Sequence, residues 1–406
     1  MQLTCPLYSS SDNQTNYRYC NLLIICCLLL RGRCQSTWCI NCCLYEIALL
    51  RTAWQDDLVR LICCSGRPVG EYLMASILRY DDALWPNFIA VSYVIAGYIG
   101  GLVFMLTASA FLNVIGILVF AHAMVIAAYL IHECAHNSVF RKNRYHRWLG
   151  EWLLWICGAS YSHYDDVRHK HVRHHTDRAD IVYFNYRKKI PAYPKFLKLI
   201  YILEWLYVPA MEVVMHVLVI ILPFAKSNRK QRRLRVLVVL LIRSLFFIYL
   251  ASISLRILIL YPIAYLIFLT IMRFMDVHQH TYELYETLDS KRGAEAKLRN
   301  REFEHNNTYS NLLSVKRPWI NLLVLNFPYH NAHHQQPGKP WHQLPKLHRQ
   351  LYGGDQQQIL SFKDLLKSYH HNRLQRVLNA DEINMPVKKM HENFIGVDGV
   401  SFLTAH

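Results

Sequence analysis

Ile131-His132-Glu133-Cys134-Ala135-His136 ends a stretch, Asn87 to Ile131, that contains no Asp, Glu, Lys or Arg. A charge-free run of that length is enough for two membrane spans of about 20 residues each. The two histidines that close it are four apart, so a helix continuing past the apolar run would put both on one face, within reach of one metal ion. Two later stretches repeat the pattern: His171, His174 and His175 in HVRHH, and His330, His333 and His334 in HNAHH. Eight imidazoles in three one-faced groups point to a metal centre rather than to surface decoration.

Composition agrees with a membrane protein. The 406 residues are 53% hydrophobic, and the mean hydropathy is +0.09. The net charge of +17 lies beside apolar segments, at Arg141 to Arg147 and Lys226 to Arg235, as expected for positive anchors near anionic headgroups. No zinc-finger or RNA-binding signature is present, so nucleic acid is not expected as a partner. Ten of the 12 cysteines fall between Cys5 and Cys64. Residues 1–65 are read as a cysteine-rich extension outside the functional fold, and the rest of the chain has no disulfide framework.

Parity of crossings fixes the topology. The first hairpin spans about 87–108 and 109–131 and turns near Thr107 to Asn113, with Gly97, Gly100 and Gly101 allowing close helix approach. His122, about 15 Å below His132 at 1.5 Å per residue, is expected to be a packed histidine and not a ligand. The apolar segment Trp148 to Ser160 is too short to cross. Three further apolar segments separate the second and third histidine groups, and if all crossed, HNAHH would be on the wrong side. The first of them, 197–224, carries Glu204, Glu212 and His216 and precedes a basic cluster, so it is assigned to the interface. Spans 236–254 and 257–275 make the second hairpin, with Arg243 snorkelling. The expected fold is an all-α integral membrane protein with four transmembrane helices in two hairpins, interfacial helices and a cytosolic histidine-rich cap at 276–406. Trp319 and Trp341 are expected as interfacial anchors of that cap.

Imidazole suits iron, zinc, copper and nickel alike, but number discriminates. One zinc site takes at most four protein ligands. Eight histidines, with His280 as a ninth from DVHQHTYE and His278 as its alternative, imply two metals. HECAH alone is also the HExxH pattern of zinc proteases, with Glu133 as general base, but that reading leaves HVRHH and HNAHH unused. A metal transporter would carry ionisable residues in its spans, and these spans have few.

HECAH, HVRHH and HNAHH, in this order, resemble the three histidine boxes of the membrane fatty acid desaturases and their hydroxylase relatives. FMDVHQHTYE and FPYHNAHHQQPGKPWHQLPKLHRQLY are similar to a desaturase-like branch, and the resemblance covers roughly residues 80–405. It implies a non-haem centre of two iron ions with O2 as co-substrate. The iron ligands would be His132, His136, His171, His174, His175, His330, His333 and His334, with His280 as the extra one. It also implies a fatty acyl desaturase or, alternatively, a hydroxylase, drawing a lipid or acyl-CoA substrate from the membrane of the endoplasmic reticulum or a bacterial cytoplasmic membrane. No HPGG haem segment is present, so electrons are expected from a separate donor of the cytochrome b5 or ferredoxin type. A third box opening on His330 rather than Gln argues against the front-end subgroup. Glu133, Asp165, Asp166, Asp177, Asp276 and Glu283 are candidates for carboxylates that orient imidazoles.

Overall fold

The structure is a computed structural model. It describes residues 77–182, 184, 186–282, 285–288, 299–354, 358–378 and 401–405. The extension 1–65 lies outside the described residues, as does Glu283.

Among the described residues four helices are long and apolar enough to cross a membrane. The first two are α1, Leu84–Leu106, and α2, Ala110–Ala135. The turn between them lies inside the expected interval and has a local cause. Ser109 caps α2, its Oγ accepting from the backbone N–H of Leu112 at 3.4 Å. Asn113 Nδ2 donates to the carbonyls of Phe104, Met105 and Thr107 at 2.9, 3.2 and 3.1 Å. Those carbonyls belong to the end of α1, where intrahelical partners run out. Two glycines set how closely the helices approach. A Cβ on Gly101 would come within 2.8 Å of the Phe120 nitrogen, and one on Gly116 within 2.7 Å of the Gly101 oxygen. Gly116→Val is therefore expected to cost about 1–3 kcal/mol by forcing the backbones apart, seen as a lower thermal midpoint in detergent. Gly100→Val, which meets nothing within 4 Å, is the matched control.

The next helices are short. They are α3, Asn143–Ile156, α4, Tyr164–Asp177, α5, Pro194–Trp205, and α6, Ala210–Ala225. The segment assigned to the interface is thus two helices broken at Leu206 to Pro209, neither long enough to span. Glu204 of α5 is fully buried and accepts from Arg273 Nη1 at 2.6 Å, so the acidic residue that argued against a crossing is neutralised by a partner. The second hairpin is α7, Arg233–Ile253, and α8, Ile257–Asp276. Arg243 donates to the carbonyl of Trp155 at 2.9 Å and to Ser160 Oγ at 3.1 Å, capping the end of α3.

Exposure separates the lipid-facing from the packed helices. α1 exposes Trp85, Phe88, Ile89 and Ile99, and α7 exposes Leu234, Leu237, Leu241 and Ile248, whereas α2 is buried almost without interruption from Phe120 to Ala135. An apolar outward face is what hydrocarbon surroundings select. This is a mostly helical membrane protein. Its one sheet among the described residues is a parallel pair, β1, Asp180–Val182, with β2, Tyr285–Thr287. Beyond it lie α9, Arg301–Asn306, α10, His330–Gln335, α11, Leu344–Tyr352, and α12, Phe362–His371.

Candidate metal centre

The histidines arrive on helix ends. His132 is in the last turn of α2 and His136 is its C-cap. His171, His174 and His175 lie in the second half of α4, while α10 is little more than the HNAHH segment itself. His280 follows α8 by four residues and is held by a bridge to Thr308. All nine come together, in two groups. His132, His136, His171, His175 and His333 form the first, and His174, His280, His330 and His334 the second, each offering nitrogens within 4.8 Å of one another. The division follows helix geometry. Residues four apart differ by about 40° around the axis, so His171 and His175 share one group and His330 and His334 the other. The histidine three residues after the first, His174 or His333, points about 100° away from its following neighbour and crosses to the opposite group.

More nitrogens converge than hydrogen bonds can pair. His136 Nε2 is 2.6 Å from His171 Nε2, which is also 3.2 Å from His175 Nε2, and that atom is 3.2 Å from His333 Nε2. His280 Nε2 faces both His174 at 2.9 Å and His330 at 2.8 Å. A neutral imidazole nitrogen carries one N–H or one lone pair, never both. In the second group the tautomers are readable. His174 Nδ1 donates to the Ala179 carbonyl at 2.9 Å, and His334 Nδ1 donates to Glu304 Oε1 at 3.0 Å. Their Nε2 atoms are therefore lone pairs directed into the group. Thr308 Oγ1 gives its proton to the Glu304 carbonyl and sits 3.4 Å from His280 Nδ1, so that contact runs from His280. The lone pairs of His174 and His280 then face each other at 2.9 Å, which repels unless a cation lies between them. His132 Nε2 and His334 Nε2, one from each group, are buried without a hydrogen-bond partner. Buried orphan nitrogens of this kind, among nine neutral imidazoles in two sets, fit two metal ions.

Burial keeps the imidazoles neutral. It depresses His136, His171, His175, His280, His330 and His334 well below the usual range, His174 to about 4 and His333 to about 3. An unfolded histidine titrates near 6.5, so below that pH the unfolded chain binds more protons than the metal-free fold. Stability of the metal-free protein is thus expected to be flat above pH 7 and to fall as pH drops from about 6.5 towards 4. A thermal midpoint that rises on acidification would contradict this.

Glu304 on α9 is the orienting carboxylate that the sequence did not disclose. It accepts from His334 through Oε1 and from Arg178 Nε through Oε2, at 3.0 and 2.9 Å, and is 3% exposed. Arg178 is the C-cap of α4 with φ of +48°, a left-handed conformation. It reaches across to α9 from the helix that carries the second histidine group. The other candidates stand elsewhere. Glu133 lies 3.6 Å from His132 Nδ1, and its Oε2 accepts from Ser138 Oγ at 2.6 Å and from the backbone N–H of Trp341 at 3.0 Å. Asp177 accepts from Arg173 at 2.9 Å. Asp165 and Asp166 pair with Arg147 and Arg232 at 2.8 and 2.6 Å. Asp276 lines a small cavity with Lys170 and His171. His278, the alternative to His280, turns to Ser368 Oγ at 3.0 Å. His122 bonds Tyr93 Oη at 2.5 Å and the Leu323 carbonyl at 2.8 Å, as a packed histidine should. Trp341 corrects its assignment as an interfacial anchor. It is buried, its indole N–H donating to Asn87 Oδ1 and its backbone N–H to Glu133 Oε2, both at 3.0 Å, so it faces inward rather than toward lipid headgroups. Trp319 is exposed.

The family model described as fatty acid desaturase matches residues 108–364. The chain belongs to the fatty acid desaturase family. The matched region begins just before α2 and takes in all three histidine groups, His280 and Glu304. No curated protein and no solved structure matched the chain. Membership in the fatty acid desaturase family makes this a membrane oxidoreductase of the desaturase and hydroxylase type, and the histidine clusters fit the family's use of iron.

Proposed function

We propose that this protein is a fatty acyl desaturase that uses O2 and two electrons at a two-iron centre to introduce a double bond into a lipid acyl chain. The observation that carries the reading is the division of nine converging imidazoles into two groups, in a chain of this family. His132, His136, His171, His175 and His333 would hold one ion, and His174, His280, His330 and His334 the other. Bound iron would activate O2, the oxidant, so that hydrogen can be taken from an unactivated methylene. The chain's own residues do the rest. Glu304 and the Ala179 carbonyl fix the Nδ1 tautomers of His334 and His174, so that both present lone pairs inward. Phe327 and Phe402 pack beside His132, with ring centroids at 4.9 and 6.0 Å, and help exclude water. Glu133, occupied by Ser138 and Trp341, ties α2 to the segment after the third histidine group instead of serving as a base.

The site would face the cytosol, where basic segments flank the spans, and a separate electron donor of the cytochrome b5 or ferredoxin type would serve it. The membrane would be the endoplasmic reticulum in a eukaryote or the cytoplasmic membrane in a bacterium. A hydroxylase of the same family is the second reading, favoured by nothing more than the shared ligand set. The experiment is product analysis of lipids from cells expressing the protein. A new unsaturated acyl chain, dependent on O2 and absent with His333→Ala, supports desaturation, and a hydroxylated chain in its place supports the second reading. Glu133→Gln keeps the acceptor oxygen and is expected to retain metal and most activity. Complete loss of the lipid product with the metal retained would instead give Glu133 a direct part in the reaction.

A further inference from the structure

Two cavities lie on either side of residues 401–405. The one on the metal side is about 50 Å³ and is lined by His171, His174, His280 and His330 together with Lys170 and Phe402. That is room for a few waters. The other is about 400 Å³ and apolar, walled by Val213, Val217, Phe247, Tyr265, Leu266 and Leu403, from α6, α7, α8 and the segment itself. Its volume falls within the range of sites that enclose small organic ligands. Successive residues of the segment face the two spaces. The Phe402 ring is 5.7 Å from that of His171, and Leu403 and Thr404 wall the apolar cavity. All five residues are buried.

The partition hangs from the helix that carries the second histidine group. Lys170, itself buried and next to His171, donates through Nζ to the carbonyl of Ser401 at 2.5 Å, the carbonyl of Thr404 at 3.1 Å and Thr404 Oγ1 at 3.2 Å. On its other side the backbone N–H of Ala405 donates to Ser162 Oγ at 3.4 Å. The wall is therefore held in fixed relation to the metal ligands. The apolar cavity, between span helices, is the space nearest the metals that could store the remaining carbons of a reacting chain, and Phe402 on one side and Leu403 on the other form the wall between it and the histidines.

We propose that Phe402 and Leu403 set which methylene of a saturated acyl chain is oxidised, by limiting how far the chain in the apolar cavity advances toward the metals. The inference rests on the acyl-oxidising reading above. One methylene of fit is worth about 10–200-fold in selection, so changing the wall changes a length preference by a measurable factor.

The test uses the full chain in detergent, metal-free, with a fluorescent conjugated polyene fatty acid displaced by saturated fatty acids stepped two carbons at a time. Leu403→Ala is expected to move the tightest-binding length up by at least one step, with about a tenfold change in preference between neighbouring lengths. Leu403→Trp is expected to move it down, as is Val217→Phe, which fills the cavity from α6 without touching the segment. Leu403→Met, of similar volume, should leave it unmoved. In the iron-loaded enzyme the same variants are expected to shift the lengths converted and to move the oxidised methylene along the chain by a matching step, with iron content confirming that each variant is folded. Product formed by the wild type, with an unshifted length profile in all the wall variants, overturns this inference alone. No O2-dependent product from the wild type on any acyl chain overturns the acyl-oxidising reading and this inference with it.

Discussion

His171→Ala and His280→Ala are each expected to abolish product formation, with loss of activity beyond the roughly 100-fold that outer orienting residues cause. The two substitutions act on different groups. His171 Nε2 is the atom in contact with both His136 and His175, and His280 Nε2 meets both His174 and His330. Removing either imidazole takes the middle donor from its set while leaving the other set whole. Each variant is therefore expected to lose about half of the bound metal, and the double variant nearly all of it. Separate product assays and metal counts on the three proteins check this. Equal and complete metal loss from both single variants would mean one shared site.

Glu304→Gln is expected to lower metal affinity or activity about 10–100-fold, although Glu304 is not assigned as a ligand. The carboxylate takes two charge-assisted contacts, from His334 and Arg178. An amide keeps one acceptor and offers its N–H₂ to the other partner, where a donor meets a donor. Buried and 3% exposed, the site has no bulk water to repair the mismatch. Arg178→Met is expected to have a smaller effect in the same direction, because it leaves the His334 contact in place. Glu304→Gln with wild-type metal retention would show that the His334 tautomer is set by other means.

The spans and the histidine groups were legible because each obeys a strong local rule. Asn87 to Ile131 lacks charge, and 3.6 residues per turn brings His132 to His136 and His171 to His175. The interfacial reading of 197–224 came from Glu204, whose buried pairing with Arg273 no local pattern reveals. Glu304 escaped for a similar reason. It sits in a charged segment, Arg301 to His305, where a solvated helix face is the ordinary expectation, and only the docking of α9 against α10 makes it an imidazole partner. His280, not His278, faces the other imidazoles, held there by the bridge to Thr308, a long-range contact. The segment 401–405 has no periodicity and no unusual residue, and its placement depends on a lysine more than two hundred residues away. Local chemistry was readable wherever one helix carries it, and obscure wherever two distant segments must meet.

Iron counted per chain in detergent-purified wild-type protein tests the central claim most directly. The two histidine groups predict close to two irons per chain. One zinc per chain, held undiminished after His333→Ala, would contradict the account and return HECAH to a single-metal hydrolytic site.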